Sequence, residues 1–141
     1  MRLLVCGNRD WTCIRTISSW LQAIDVACER KGQRVTLIHG GNGERDEHGK
    51  AIMGADELAH DVAAGLGWDY ERYPANWSLG RKAGPIRNQY MFDHGMPERG
   101  LAFGRLMKPQ SNDDSGTGGM VKILNRGGIL VTVVPKPGVM P

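Results

Sequence analysis

The sequence has few of the features that mark secreted or membrane proteins. Its three cysteines, Cys6, Cys13 and Cys28, are an odd number at spacings that fit no metal motif. No segment approaches the roughly 18 consecutive apolar residues that a membrane helix needs. The start of the chain also lacks the positive, apolar and cleavage regions of a secretory signal. We therefore expect a reduced, cytoplasmic protein without a membrane partner.

The sequence also has no strong excess and no long run of charges of one sign. The formal net charge is +3, and the sequence has no run of lysine and arginine like that of a nucleic-acid-binding tail. The most acidic stretch, Glu44 to Glu47, is short, and together with His48 it matches no strong metal motif. We therefore expect this stretch to be a polar loop, and we expect neither a metal nor a cofactor.

The composition that remains is that of an ordinary globular domain. The chain has 141 residues, of which 40% are hydrophobic and 23% charged. This length suits a single core, and the sequence shows no internal repeat. We expect one domain over residues 1–134, followed by a proline-rich, extended tail over residues 135–141.

Short apolar runs alternate along this domain with segments of helical periodicity. The runs predict five strands, and apolar residues at steps of three and four predict four helices between them. The predicted strands cover residues 3–6, 35–38, 69–73, 100–104 and 129–134, and the helices cover residues 12–31, 55–66, 85–94 and 117–125. Crossovers of this length favour right-handed βαβ units. We therefore predict an α/β fold, a Rossmann-like doubly wound parallel five-stranded sheet with helices on both faces.

Ligands of such sheets bind beyond the carboxyl ends of the strands, where the strand order reverses. The segments that follow the predicted strands are Gly7-Asn8-Arg9-Asp10-Trp11, His39-Gly40-Gly41, Gly104 and the loop before the last helix. Because the carboxyl ends of parallel strands lie at one edge of the sheet, we expect these segments to form a single candidate site.

The loop before the last helix reads Ser115-Gly116-Thr117-Gly118-Gly119. Its backbone N–H groups carry little side-chain bulk and lie at the positive end of a helix dipole, where anions bind. The pattern predicts a phosphate-binding loop. The alternative is a flexible turn with an ordinary Ser or Thr N-cap.

The segment after the first strand offers four further side chains to a ligand. We expect Asn8 and Arg9 to contact it through an amide and a guanidinium group. Asp10 either contacts the ligand or caps the first helix. Trp11 either provides a stacking surface or packs over the edge of the sheet.

Four more positions complete the predicted set. Arg87 and Asn88 lie in the first turn after Gly84-Pro85, from which they reach toward a phosphate or a ribose. The alternative for Arg87 is a solvated side chain or one paired with Asp93. His39 is interpreted first as a buried histidine and Asp56 as a helix cap, with ligand contact as the second interpretation of both.

These motifs also occur together in a known family. They are Leu3-Leu4-Val5-Cys6-Gly7-Asn8-Arg9-Asp10-Trp11, His39-Gly40-Gly41, Gly54-Ala55-Asp56, Pro74-Ala75-Asn76-Trp77, Ala83-Gly84-Pro85-Ile86-Arg87-Asn88 and Gly116-Thr117. In this order they resemble the short YspA-like branch of the SLOG superfamily, from residue 1 to about residue 134. The superfamily includes Lonely Guy phosphoribohydrolases, DprA-type DNA-processing proteins and sensors of NAD-derived signals.

The resemblance implies a nucleotide or ADP-ribose-like ligand on the glycine-rich loop and a homo-oligomer paired through helices beside the sheet. Many members of this branch are encoded by phages and mobile elements. The chain departs from the hydrolases at one position, because Met120 stands where they carry a catalytic glutamate, three residues after the threonine. It also has apparent insertions between Gly41 and Gly54 and between Gly104 and Gly116, which suggest lids or a partner-binding surface.

Three functions follow as expectations. The first is a binding protein that senses or sequesters a nucleotide-derived, phosphate-containing molecule, such as an ADP-ribose, NAD-derived or cyclic nucleotide signal. The second is a nucleoside 5′-monophosphate N-glycosidase that uses Arg87 with another carboxylate, such as Asp10, Asp56 or one in the loop over residues 44–47. The third, ranked lowest, is single-stranded DNA binding through the cations and aromatic rings of Arg9, Trp11, Trp77, Arg81, Lys82 and Arg87.

Overall fold

The computed structural model describes residues 1–107 and 115–137. Within these ranges the main strands are β1 (Arg2–Gly7), β2 (Thr36–His39), β5 (Asp69–Arg72), β6 (Arg99–Phe103) and β7 (Leu130–Val134), and a short ribbon contains β3 (Glu44–Arg45) and β4 (Ala51–Met53). The helices are α1 (Ile14–Arg30), α2 (Ala55–Gly65), α3 (Ala83–Gly95) and α4 (Gly116–Arg126), with a 3-10 segment (Trp77–Lys82) before α3.

The five main strands form one parallel sheet in the order β5-β2-β1-β6-β7. From β1 the chain first builds outward through β2 to β5 and then returns to the other side of β1 to add β6 and β7. The strand order therefore reverses between β1 and β6, and this is where such sheets open a ligand crevice. The predicted doubly wound, Rossmann-like α/β fold is confirmed.

The two faces of the sheet carry separate hydrophobic cores. Successive residues of a strand point to opposite faces, so Leu3 and Val5 of β1 join the core beneath α1 and α2. Leu4 and Cys6 join the core beneath α3 and α4. The sheet therefore has helices on both faces, as predicted. The N-termini of α2 and α4 lie at the carboxyl edge of the sheet.

Two local predictions differ from the structure. The loop predicted over residues 42–53 contains the antiparallel β3-β4 ribbon, whose strands are too short to give a periodic signal. Helix α3 begins at Ala83 rather than Pro85, so the proline occupies the first turn without starting it. The predicted loop over residues 105–115 and the tail over residues 135–141 lie partly outside the described residues.

Candidate functional site

The carboxyl edge of the sheet encloses a narrow cavity between the starts of α2 and α4. Its free volume is about 10 Å³, close to the minimum that admits one water molecule. It is lined by Cys6, Gly7, Gly40, Asn42, Asp56, Arg87, Asn88, Met91, Gly116, Thr117 and Met120. Seven of the predicted site residues therefore meet around one small space.

Asp56 is the buried carboxylate of this cavity. Its Oδ2 accepts hydrogen bonds from the backbone N–H groups of Gly40 and Asn42, each at 3.1 Å. Its Oδ1 is buried and has no hydrogen-bond partner among the described residues. Burial raises the pKa of Asp56 to about 6, although the two N–H donors and the nearby Arg87 cation oppose the rise.

The expectation that Asp56 caps its own helix is therefore wrong. The N-cap of α2 is Gly54, which has no side chain to offer, and the Asp56 carboxylate instead holds the loop after β2. This arrangement commits one carboxylate oxygen to the loop after β2 and leaves the other without a hydrogen-bond partner among the described residues.

Arg87 and Asn88 connect that loop to α4. Arg87 Nη1 donates to the Gly40 carbonyl at 2.6 Å, and its Nε donates to Asn88 Oδ1 at 2.9 Å. Asn88 Nδ2 donates in turn to the Gly116 carbonyl at 3.3 Å. Arg87 is neither solvated nor paired with Asp93, whose carboxylate accepts from Gln89. Burial lowers the pKa of Arg87, and Asp56 opposes this effect.

Gly40 makes room for this guanidinium group. A Cβ atom at Gly40 would lie 2.4 Å from Arg87 Nη1, a separation that no side chain could occupy. Gly7 has a similar role, because its Cβ would lie 2.3 Å from that of Ala55. Packing inside the protein therefore explains both glycines, without a ligand.

The start of α4 is more open. Ser115 is its N-cap, and Ser115 Oγ accepts from the Gly118 N–H at 3.1 Å, as the N-cap interpretation predicted. A Cβ atom at Gly116 or Gly119 would meet nothing within 4 Å. The first turn of α4 contains no acidic residue. Among the described residues, its positive end is therefore accessible, and its first turn carries no carboxylate.

A wider cleft of about 310 Å³ opens beside this helix start. It is lined by Asn8, Arg9, Asp10, Met53, Arg105, Met107 and Ser115. Arg105 lies 3.4 Å from Asp10, to which Lys136 also comes within 3.8 Å. Among the described residues, the lining of the cleft thus contains two cations, Arg9 and Arg105, and one carboxylate, Asp10.

The side chains of Asn8 and Asp10 make contacts within the protein. Asn8 accepts from the Arg105 N–H at 2.7 Å and donates to Thr117 Oγ1 at 3.3 Å, so its amide joins β1 to the start of α4. Asp10 does not cap α1, whose N-cap is Cys13. Asp10 is instead an ion-pair partner within the cleft.

Trp11 and His39 lie away from the site. Trp11 is completely buried against Phe103 in the α1–α2 core, so the stacking interpretation is wrong and the packing interpretation is correct. His39 is also fully buried and lies 2.9 Å from His60, ring nitrogen to ring nitrogen. Burial lowers the pKa of His39 to about 3, as suits the buried histidine predicted first.

The remaining predicted positions are Gly41 and Gly118. Gly41 has a φ of +75° and packs toward Arg72 and Glu57 rather than lining the cavity. Gly118 is buried and donates to the N-cap serine. Both glycines support the shape of the loops, and neither faces the cavity.

No family model and no curated protein matches this chain. The resemblance to the SLOG superfamily therefore stays a prediction, and the site has to be judged from its own chemistry. Met120, at the position of the hydrolase glutamate, is buried and lines the cavity together with Cys6 and Met91. This wall of the cavity is apolar.

Two polar residues of the site, Asn42 and Arg105, were not predicted from the sequence, and neither were the apolar lining residues Cys6, Met53, Met91 and Met107. Asn42 contributes a backbone N–H to Asp56, and Arg105 brings a guanidinium group to the cleft. A signal for both existed, since each closely follows the end of a strand. Across residues 1–107 and 115–137, no group of three or more His, Cys, Asp or Glu side chains is placed to hold a metal ion.

Proposed function

We propose that the protein binds a nucleotide-derived, phosphate-containing small molecule and acts as a sensor or a sequestering protein. The candidate ligands are ADP-ribose, another NAD-derived molecule or a cyclic nucleotide. One observation carries the proposal: the start of α4 lines the same cavity as Asp56, a buried carboxylate with one unpartnered oxygen. An anion site thus adjoins a hydrogen-bond acceptor that has no partner within the described protein.

The start of α4 suits a phosphate for three reasons. The first N–H groups of a helix have no intrahelical acceptor, and the helix dipole is positive there. The exposed Gly116 leaves space for an anion to approach the backbone. Arg9 and Arg105 line the adjoining cleft and add positive charge.

Binding is favoured over cleavage because of Met120. A thioether can neither transfer a proton nor stabilise a positive charge developing on a sugar ring. The N-glycosidase alternative keeps one supporting observation, which is that Asp56 lies in the same cavity with a pKa of about 6. Asp10 supports it less, because it is half-exposed in the wider cleft and paired with Arg105.

Single-stranded DNA binding loses two of the side chains on which it depended. Trp11 and Arg87 are buried, so neither can contact bases or phosphates on the surface. Trp77 is 59% exposed beside Arg81 and Lys82, and one ring with two cations is a weak platform. We therefore keep this function as the lowest-ranked alternative.

Titration calorimetry with ADP-ribose, AMP and cyclic AMP tests the proposal. We expect at least one of them to bind and to raise the melting temperature, and to be recovered intact by chromatography. Release of free base would support the glycosidase instead. Failure of all three ligands to bind would contradict the proposal.

A negative charge introduced at Gly116 tests where the phosphate binds. Gly116→Glu places a carboxylate in open space at the positive end of α4, which favours the helix but repels a phosphate. Gly116→Gln has a side chain of nearly the same size without the charge. We expect the glutamate variant to lose binding and the glutamine variant to retain most of it. Equal affinities for the two variants would place the phosphate elsewhere.

The cell compartment and the assembly state are proposals of their own. We infer a cytoplasmic homo-oligomer of phage or mobile-element origin, on the strength of the resemblance. The three cysteines are free thiols, as a reducing compartment requires. No helix among the described residues has the length and apolar character to cross a membrane. Native mass spectrometry of the purified protein would give both the subunit count and the mass of any bound nucleotide.

A further inference from the structure

The two edges of the sheet differ in their chemistry. Strand β5 forms one edge, and its sequence Asp69-Tyr70-Glu71-Arg72 is charged at all positions but one. Charges of this kind keep an edge strand from pairing with other chains. Strand β7 forms the other edge, and the sequence has no charged residue between Arg126 and Lys136. The β7 edge therefore has no charge within the strand to prevent pairing.

Apolar side chains of β7 are exposed as well. Val134 belongs to the core beneath α1 and α2, so Leu130 and Thr132 lie on that same face by the alternation of a strand. Leu130 is 64% exposed there, and Val133 is 40% exposed on the opposite face. An uncharged edge with apolar side chains exposed on both faces is typical of a strand that pairs with another chain.

The backbone of β7 also has unpaired hydrogen-bonding groups at this edge. The Gly104 N–H donates to the Val134 carbonyl at 2.8 Å, so Val134 directs its backbone groups toward β6. Alternate residues of a strand direct these groups to opposite sides, so Thr132 also bonds to β6. The N–H and C=O groups of Val131 and Val133 therefore point away from the sheet, where no described strand pairs with them.

The flanking residues end this unpaired edge on both sides. The Ile129 N–H donates to the Leu124 carbonyl at 2.9 Å, and Pro135 has no N–H group. A partner strand must therefore supply donors and acceptors to Val131 and Val133 without needing a donor from either flank. An antiparallel second copy of β7 meets this condition when Thr132 lies opposite its own counterpart.

The neighbouring registers do not meet it. With Thr132 opposite itself, Val131 of each copy exchanges both of its hydrogen bonds with Val133 of the other copy. A shift that places Val131 opposite itself leaves the Val133 carbonyl facing Ile129, whose N–H is already used. A shift that places Val133 opposite itself leaves the Val131 carbonyl facing Pro135, which has no N–H. Of these registers, the one centred on Thr132 pairs every group.

The side chains suit the same register. On one face, Val131 lies beside Val133 of the second copy. On the other face, the two Thr132 side chains lie together, between pairs of Leu130 and Val134. Pairs of β-branched residues and Thr–Thr pairs stabilise antiparallel strands. Because this edge is complementary to itself, it favours a second copy of the chain as its partner, and the result is a closed dimer with two-fold symmetry.

We propose that the protein forms a symmetric dimer in which two β7 strands pair antiparallel, with Thr132 at the two-fold axis. The two five-stranded sheets then form one continuous sheet. This interface differs from the pairing through helices that the resemblance implies. It requires no ligand, so its failure would leave the proposed function intact.

Sedimentation velocity of the unaltered protein and of variants at Thr132 tests the dimer. Thr132→Lys places two cations opposite each other at the axis, and we expect it to raise the dimer dissociation constant about tenfold or more. Thr132→Glu should have the same effect. A mixture of these two variants should regain the dimer, because a cation then lies opposite an anion. The uncharged control, Thr132→Val, should remain dimeric, and circular dichroism verifies that each variant folds.

Disulfide trapping tests the register and decides the question even if the charged variants fail to fold. Thr132→Cys places two thiols at opposite positions without backbone hydrogen bonds, where Cα atoms are about 4.5 Å apart and within disulfide range. We expect oxidised glutathione to convert this variant into a covalent dimer. Leu130→Cys, on the same face, is the matched control. Its two thiols would be separated by about 13 Å along the strands, so it should stay uncrosslinked. The unaltered protein controls for the native cysteines.

Three results would overturn the proposal. The first is an unaltered protein that is monomeric at every concentration measured. The second is a dimer that Thr132→Lys does not weaken, which would place the interface elsewhere on the surface. The third is crosslinking of Leu130→Cys but not of Thr132→Cys, which would contradict the register centred on Thr132.

Discussion

Helices α2 and α4 begin at the same edge of the sheet, yet their first turns are built in opposite ways. At α2, the N–H groups of Ala55 and Glu57 donate to the carbonyls of Asn8 and Asn42, at 3.2 and 3.4 Å. Asp56 and Glu57 also place two carboxylates in this first turn. At α4, the cap is a serine hydroxyl, the next residue is an exposed glycine, and the first turn, which begins at Gly116, contains no acid.

The difference shows that a helix dipole alone does not make an anion site. Both helices have eleven residues, so their dipoles are similar. The positive end of α2 is already neutralised, and its nearby cations are occupied because Arg45 and Arg72 pair with the buried Glu57. The positive end of α4 faces Arg9 and Arg105 across the cleft. Of these two helix starts, that of α4 is therefore the one at which we propose a phosphate.

The largest expected effect is a loss of stability when the packed start of α2 is altered, which the open start of α4 should not show. In Gly54→Ala, the new methyl group would lie 2.4 Å from Gly43 Cα, at a backbone φ of +98°. Strain and overpacking together should lower the free energy of unfolding by about 3 kcal/mol or more. Urea unfolding monitored by circular dichroism measures the change.

Gly116→Ala is the matched variant at the start of α4. Its methyl group meets nothing within 4 Å, so we expect a change in unfolding free energy within about 1 kcal/mol. If the two alanine variants were equally destabilised, the contrast between a packed and an open helix start would be wrong.

The next effect is a pH dependence caused by Asp56. Its pKa is 3.8 as a free group and about 6 in the folded protein, so the folded state binds the proton more tightly. The resulting stabilisation is complete below pH 3.8 and is lost as the pH rises toward 6, by roughly 3 kcal/mol in total. Relative to Asp56→Asn, the unaltered protein should therefore lose stability over this range.

Buried His39 changes the stability with pH in the opposite direction, but its contribution cancels when the two proteins are compared. His39 has a pKa of 6.5 as a free group and about 3 when buried, so its contribution is lost as the pH falls. The same loss occurs in both proteins, because Asp56→Asn leaves His39 unchanged. Parallel stability curves from pH 3.5 to 7 would show that Asp56 is not a buried carboxylate of raised pKa.

The fold could be predicted closely because its signals are local. Four apolar residues before Gly7 predict β1, and the three-four spacing from Ala55 to Leu66 predicts α2, which runs from Ala55 to Gly65. The β3-β4 ribbon gave no such signal. It depends on contacts distant in sequence, such as the ion pairs of Arg45 with Glu57 and Asp61 on α2.

The place of the site in the fold could be predicted from the sequence, but the directions of its side chains could not. Topology alone brought Gly40, Asp56 and Gly116 to one edge, where they line one cavity. The direction of a side chain after a strand is harder to predict, because the turn from Asn8 to Trp11 sends the indole ring into the core. His39 was predictable, since it lies two residues after Leu37 and so points to the same buried face.

A smaller effect concerns the cap of α4. Ser115→Ala removes the hydroxyl that accepts from the Gly118 N–H, and we expect it to lower the free energy of unfolding by about 1 kcal/mol. Ser19→Ala makes the same chemical change at an exposed position within α1. There alanine favours the helix, so stability should be unchanged or slightly raised. Equal losses in the two variants would show that Ser115 has no capping role.

The smallest effect tests whether the cleft cations assist α4. Arg105→Gln removes a partly exposed guanidinium group and leaves Asp10 with less positive charge around it. An exposed charge contributes about 0.3 to 1 kcal/mol, so the affinity for a nucleotide should fall about two- to fivefold, and less at high salt. Arg30→Gln, at the far end of α1, lowers the net charge equally but should leave the affinity unchanged. If both variants weaken binding equally, the attraction comes from the net charge of the protein. A loss of affinity confined to Arg105→Gln would instead show that the cleft and the open start of α4 act together.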